Sequence, residues 1–211
     1  MLLNPSKQQS QPHQTEKNDV SKLIETHQWR KVQMRVFLHK KEMSNNQNAL
    51  RLACYHDAPV QVMKCLYNAN PHAISVKDFK GNYPLHLACT QGCSPSVVKY
   101  FLKKYPQAAM ETNIHDRSPF LLACKSYLWH HRYSQQKWHV ANKDLLDVLQ
   151  ILSMAVPRSI LTKEDCSAMT PLDYVSETKA MPIVFEYVDY LIDSEIHESK
   201  YSYHNCQAKA A

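Results

Sequence analysis

Tyr83-Pro84-Leu85-His86-Leu87-Ala88-Cys89 contains one copy of a stretch that recurs along the chain. Ahead of it stands Ala49-Leu50-Arg51-Leu52-Ala53-Cys54, and behind it Pro119-Phe120-Leu121-Leu122-Ala123-Cys124. A looser copy is Pro171-Leu172-Asp173-Tyr174-Val175. Ala53 to Ala88 is 35 residues, Ala88 to Ala123 is again 35, and the step to Val175 is 52. Periods of this size belong to solenoids of stacked helix pairs, because a single pair cannot hide its own apolar face. The long last step places an insertion inside one unit.

The rest of each unit agrees. A second helical pattern follows each of the first three copies, from Val60 to Tyr67, Ser96 to Lys104 and Asp144 to Met154. Pro71, Pro106 and Pro157 stand near the ends of these helices and stop them, since proline has no N–H to continue the ladder. Asp78, Asn113 and Asp165 lie six residues ahead of Pro84, Pro119 and Pro171, where Asp and Asn favour a tight turn. Gly81 and Asp116 lie three residues ahead of the first two of those prolines. Each of the three prolines opens a helix, where its missing N–H costs nothing. Ala53, Ala88 and Ala123 are small enough for neighbouring first helices to approach, and Leu50, Leu52, Leu85, Leu87, Phe120 and Leu122 fill the space between units. The expected fold is all-α: a solenoid of stacked antiparallel helix pairs over residues 49–176. Short or irregular hairpin tips are expected near residues 75–82 and 110–117.

These residues resemble the ankyrin-repeat family. Tyr83-Pro84-Leu85-His86-Leu87-Ala88 is close to that family's Thr-Pro-Leu-His-Leu-Ala core, and Thr170-Pro171-Leu172 restores its threonine. Asn70-Pro71-His72-Ala73 and Tyr105-Pro106-Gln107-Ala108-Ala109 resemble a longer-period variant common in diatom and other stramenopile proteins. The resemblance covers residues 20 to 196. It implies an L-shaped repeat, a concave face for partner recognition and no activity. The chain departs from the pattern at the histidine, which is kept only as His86, with Arg51, Leu121 and Asp173 in its place elsewhere. In the family that histidine orders the turn by hydrogen bonding. The turn between paired helices has Gly92 in one unit and Asp57 at the matching place in the one before.

Around this core the chain divides simply. Residues 1–18 are polar and are expected to be a disordered tail. Residues 19–196 are expected to form the repeat domain, with helical periodicity already present from Asp19 to Met43, where Leu23, Ile24, Trp29, Val32, Val36 and Phe37 recur at three- and four-residue steps on an apolar side. From Pro182 to Ile196 a last helix carries Ile183, Val184, Tyr187, Val188, Leu191 and Ile192 on its apolar side. Glu186, Asp189, Asp193 and Glu195 lie on its outer side, as a terminal cap requires. Residues 197–211 revert to a polar tail.

The chain has 211 residues, with 25 Lys plus Arg against 19 Asp plus Glu. The formal charge of +6 favours acidic partners slightly and does not establish nucleic-acid binding. Glycine occurs only at Gly81 and Gly92, which excludes a Gly-rich phosphate loop. No apolar run is long enough to span a membrane, and the N-terminus does not read as a secretory signal. Seven cysteines are widely spaced, and Cys54, Cys65, Cys89 and Cys124 lie inside apolar patterns. That is how buried thiols are used in a reducing compartment, so an intracellular location, cytoplasmic or nuclear, is expected.

Cys54, Cys89 and Cys124 cannot share one zinc, because stacked helices lie about 10 Å apart and Zn–S bonds are about 2.3 Å. No Gly-x-Ser-x-Gly elbow or paired buried carboxylates are present. No catalytic residue, metal site or cofactor is therefore expected, and a small-molecule substrate is disfavoured. The expected function is a non-catalytic protein-interaction scaffold whose contacts come from the hairpin tips: Phe79, Lys80 and Asn82 in one, His115 and Asp116 in the next. The insertion at 125–143 adds Trp129, His130, Arg132 and Trp138, either as a binding loop or as a cover that buries its tryptophans. Two other readings compete: a metal protein or enzyme built on the histidines of that insertion, and a nucleic-acid-associated protein. The latter would use Arg30, Lys31, Arg35, Lys40 and Lys41 with Lys99, Lys103 and Lys104, although no nucleic-acid-reading motif accompanies them. The partner expected is a protein, with an acidic one favoured.

Overall fold

Proline sets the start of each well-formed first helix. Its fixed φ suits the first helical position, and its ring blocks any continuation towards the N-terminus. In the computed structural model α6 begins at Pro84, α8 at Pro119 and α11 at Pro171. The structure describes the backbone of residues 17–133, 138–177 and 182–193, and the side chains of residues 20–126, 144–177 and 182–193.

The helices run α1 (Lys17–Glu25), α2 (Trp29–Leu38), α3 (Lys40–Met43), α4 (Asn48–Tyr55), α5 (Val60–Ala69), α6 (Pro84–Thr90), α7 (Pro95–Lys104), α8 (Pro119–Tyr133), α9 (Trp138–Ser153), α10 (Arg158–Leu161) and α11 (Pro171–Glu177). A further helix, α12, covers residues 182–193. There is no β-strand among the described residues. The fold is a stacked-helix, ankyrin-like solenoid in two layers. In the inner layer α1 meets α4, α4 meets α6, α6 meets α8, and α8 meets α11. In the outer layer α2 meets α5, α5 meets α7, and α7 meets α9. The Ser153 hydroxyl and the Tyr187 hydroxyl, 2.8 Å apart, join α9 to α12.

The turn between paired helices is built the same way three times. Asp57 N–H donates to Cys54 C=O at 3.2 Å and Ala58 N–H to Ala53 C=O at 3.0 Å. Gly92 and Cys93 repeat this on Cys89 and Ala88, and His27 and Gln28 repeat it on Ile24 and Leu23. This is the Schellman ending, which needs a left-handed residue just past the helix. His27, Asp57 and Gly92 have φ of 54°, 48° and 66°. Pro71 and Pro106 then open short 3-10 turns, Pro71–Ser75 and Pro106–Ala109, that lead the chain to the next tip.

The core follows the repeat. Ala53, Ala88 and Ala123 are buried where inner helices touch, with Leu50, Leu85 and Phe120 between them and Val62, Val97 and Leu149 in the outer layer. Three features differ from the sequence expectation. The periodic stretch 19–43 is three helices, interrupted at the left-handed His27 and again at His39. Phe37 and Ile183, expected on apolar sides by their spacing, face solvent, because Val32 and Val36 in α2 and Val184 and Val188 in α12 already fill those sides. The extra length around 125–143 is largely helical, since α8 runs on to Tyr133 and α9 starts at Trp138. The expected tails fall outside the described residues, except that α1 already begins at Lys17.

Candidate protein-interaction surface

A backbone that reverses within five residues leaves N–H groups unpaired, and a short acidic or amide side chain can gather them. At the first tip, Asp78 Oδ1 accepts from the N–H groups of Lys80 and Asn82, both at 2.8 Å. Asn113 Oδ1 does the same for His115 at 2.9 Å and Arg117 at 3.2 Å. Asp165 Oδ1 does so for Ser167 at 2.8 Å and Met169 at 3.3 Å. Each of these three residues also donates its own N–H to the carbonyl four residues on, at 2.9 Å from Asp78 and 3.1 Å from Asn113 and Asp165. The residue three positions on is left-handed in every case: Gly81 at 76°, Asp116 at 55° and Ala168 at 54°. The six-residue spacing to the helix-opening proline thus marks three copies of one turn.

The tips are also joined to one another. Ile114 N–H donates to Lys80 C=O at 3.1 Å, and Cys166 N–H donates to His115 C=O, also at 3.1 Å. A side-chain rung lies beneath each of these bonds. Asn113 Nδ2 donates to Asn82 Oδ1 at 2.8 Å. Arg117 Nε donates to Asp165 Oδ2 at 2.8 Å, and Tyr174 Oη–H donates to the same oxygen at 2.8 Å. Burial alone would raise the Asp165 carboxyl. The hydrogen bonds from Arg117, Tyr174 and the Ser167 and Met169 N–H groups outweigh it and hold the carboxyl down to about 2. Glycine suits position 81 for space as well as for φ, since a Cβ there would stand 3.2 Å from the Ile114 nitrogen, closer than an ordinary contact.

His86 ties the next level down. It is fully buried, and its Nε2–H donates to Glu111 C=O at 3.1 Å, bridging one unit to the turn of the next. Burial pushes its pKa down to about 4, so the ring is neutral near pH 7, with the proton on Nε2. Tyr83 packs on it, Tyr105 packs edge-on against Tyr83, and Lys77 Nζ lies 5.0 Å from the Tyr83 ring centre. Where the histidine is replaced, different groups take over. Asp173 and Thr170 form a reciprocal capping box on α11, with Thr170 N–H to Asp173 Oδ2 at 2.8 Å and Asp173 N–H to Thr170 Oγ1 at 3.2 Å. Ser118 caps α8 through Leu121 N–H at 3.2 Å.

This scaffold presents a ridge. Phe79 is 88% exposed and Ile114 65% exposed on adjacent, hydrogen-bonded tips. Lys80 Nζ lies 5.5 Å from the Phe79 ring centre. Asp116 is exposed and 3.5 Å from Lys163 Nζ, and His115 is half-buried. Asn82 stands apart from the other candidates. It is buried, its amide nitrogen donates to Asp78 Oδ2 at 3.1 Å, and its oxygen accepts from Asn113. It therefore helps to hold the ridge from beneath. Ile114 was not singled out from the sequence, because one apolar residue in a turn carries no periodic signal. The side chains of Trp129, His130, Arg132 and Trp138 lie outside the described residues.

The other candidates resolve as structural or surface groups. Cys54, Cys89, Cys93 and Cys124 are buried, and burial pushes the Cys93 thiol up to about 12 and the other three well above the usual thiol range. Buried neutral thiols of this kind are not nucleophiles. Among the described residues no group of three His, Cys, Asp or Glu could hold a metal ion. Lys104 Nζ sits 5.1 Å from the Tyr67 ring centre and 5.8 Å from that of Tyr100, and Lys99 and Lys103 are exposed on α7. No described helix is long and apolar enough to cross a membrane.

Residues 80–109 match the ankyrin repeat. The matched stretch begins inside the first tip, takes in α6 and α7, and ends with the 3-10 turn at Ala109. The same tip geometry continues beyond it, because the tips at Asn113 and Asp165 copy the bonding at Asp78. No curated protein matches the chain.

Proposed function

We propose that the chain is a non-catalytic, ankyrin-type scaffold that binds another protein along the ridge of its tips. The observation that carries this reading is the exposed pair Phe79 and Ile114 on tips fixed by backbone bonds between units. Apolar side chains held out on a rigid support lose little entropy when a partner covers them, which makes them good anchors. Lys80, His115 and Asp116 rim that pair, and Trp129, His130, Arg132 and Trp138 would extend the surface from α8 and α9. An acidic partner suits Lys80. The enzyme or metal reading rests on histidines of the insertion whose side chains lie outside the described residues, and among the rest no group of three His, Cys, Asp or Glu could hold a metal ion. The 35-residue step and the Tyr105-Pro106-Gln107-Ala108-Ala109 turn favour the longer-period variant of the repeat. The buried thiols suit a location inside the cell, in cytosol or nucleus.

The test compares binding of one partner, isolated with the native chain, by wild type, by Phe79→Asp with Ile114→Asp, and by Lys99→Glu with Lys103→Glu. The tip variant should lose binding at an unchanged unfolding midpoint, and the α7 variant should keep it. Loss only in the α7 variant would move the surface to the outer layer and remove this reading. Strong salt-dependent binding of a polynucleotide, lost with the α7 lysines, would favour the nucleic-acid alternative.

A further inference from the structure

An end helix of a stacked array has a neighbour on one side only, so its outer side is normally polar. Neither end of the outer layer obeys this. At the N-terminal end α2 buries Val32 and Val36, and turns Met34, Phe37 and Leu38 to solvent, with Phe37 79% exposed. Spacings of three and four residues align those side chains into one stripe. Exposed Arg30 and Lys31 flank it, and exposed Lys40 and Lys41 follow on α3 with one exposed carboxylate, Glu42, so cations outnumber carboxylates on this face. At the C-terminal end α12 buries Val184 and Val188 and exposes Ile183 and Tyr190, the latter by 66%. Exposed Glu186 and Asp193 and half-buried Asp189 surround these two. Apolar patches rimmed by charge mark sites of association. Here the two patches carry opposite charge and belong to the same layer.

We propose that the α2 face of one copy receives the α12 face of another, a head-to-tail contact that continues the outer layer from copy to copy. Among the described residues, each face lacks the neighbour that the other supplies. The charges choose the pairing. Two α2 faces would bring Arg30 and Lys31 against their own copies, and two α12 faces would do the same to Glu186 and Asp193. Only the unlike pairing sets Arg30 and Lys31 against Glu186 and Asp193. Such a contact is heterologous and leaves one face open at each end, so assemblies grow with concentration and do not stop at a dimer. Its charged rim is exposed, so added salt weakens it. This association is independent of the tip ridge, which its test leaves untouched.

The test is sedimentation of the full chain at low ionic strength over micromolar to millimolar concentration. The mean mass should rise steadily past that of a dimer and fall when salt is added. Met34→Ser with Phe37→Ser closes the α2 face, and Glu186→Lys with Tyr190→Ser closes the α12 face. All four side chains are exposed, so the helical signal and unfolding midpoint should match wild type. Each double variant alone should be monomeric. An equimolar mixture of the two should form a dimer and nothing larger, because only one open face of each kind remains. Wild type that stays monomeric to millimolar concentration or stops at a dimer would overturn the proposal. So would folded variants that associate like wild type, or a mixture of folded variants that forms no dimer.

Discussion

Single residues set the stack where backbone conformation or burial leaves no choice. Ala168 has φ of 54° at the position where the first tip has Gly81. A Cβ in that region costs about 1–2 kcal/mol, while glycine gives back about 0.4–1 kcal/mol through the unfolded chain. Ala168→Gly should therefore stabilise by about 0.5–1 kcal/mol, measured by denaturant unfolding; a lower midpoint would show that the tip does not carry this strain. His86 gives a pH signature. Its pKa falls from 6.5 in the unfolded chain to about 4 in the folded one, because burial disfavours the charged ring. The folded state therefore needs the neutral form. Stability is full above about pH 6.5 and is lost as pH falls towards 4, by up to about 3 kcal/mol from this group. His86→Leu should lower stability at pH 7, through the lost bond to Glu111, and remove most of the slope between pH 6.5 and 4. A variant with the wild-type slope would place that titration elsewhere.

At the scale of the element, the tip is a cassette whose identity depends on its neighbour. Position 165 is Asp and position 113 is Asn, although both gather the same pair of N–H groups. The rung explains the difference. Asp78 takes the amide nitrogen of Asn82, so the Asn82 oxygen faces Asn113 and must meet a donor. Arg117 presents a donor to position 165, and a carboxylate suits it. Asn113→Asp should then cost about 1–3 kcal/mol, the price of a buried acceptor facing another acceptor. Adding Asn82→Arg, which copies the lower rung, should recover part of that loss in a double-mutant cycle. Additive effects would mean that the two positions are uncoupled. Much of this element was legible in advance: the six-residue step from Asp78, Asn113 and Asp165 to a proline, Gly81 and Asp116 three residues ahead of the first two of those prolines, and Asp57 and Gly92 at matching places in the turns between helices. Local chemistry dictates those. The partners of Asn82 and Arg117 were not legible, since they lie 31 and 48 residues away and depend on how units are offset. Nor was the outward turn of Phe37, because helical spacing fixes a face only to within the width of the core it meets.

At the scale of the molecule, a solenoid has no single centre, so each unit is as stable as its contacts with its neighbours make it. The C-terminal units are joined through α8 and α11, the Cys166–His115 backbone bond, the Lys125–Tyr174 contact at 3.4 Å and the Arg117–Asp165 pair at 2.8 Å. Asp165 is the group most exposed to failure, because its side chain is fully buried and, among the described residues, only Arg117 offers it a positive charge at this distance. Removing one partner of a buried pair costs about 3–5 kcal/mol, and the part-exposed arginine brings that down to about 2. In a globule with one core the loss would lower the whole transition. In a stack it falls on one junction. Arg117→Ala should therefore loosen α11 and α12 while α6 and α7 keep their protection, splitting one unfolding transition into two. Native-state hydrogen exchange resolves this directly: amides of residues 171–177 and 182–193 should exchange through an opening about 2 kcal/mol easier than in wild type, and those of residues 84–104 through an unchanged one. Equal loss across all four helices would mean that the chain unfolds as one unit and that the junction at Arg117 is no weaker than the rest. The pair also has a pH window. Asp165 has a folded pKa of about 2, below the carboxylate value of 3.8, so its contribution is present above about pH 4 and is lost as pH falls towards 2. The C-terminal units of wild type should open first on acidification through that range, and in Arg117→Ala they should open at higher pH, because the carboxylate has lost the cation that keeps it ionised.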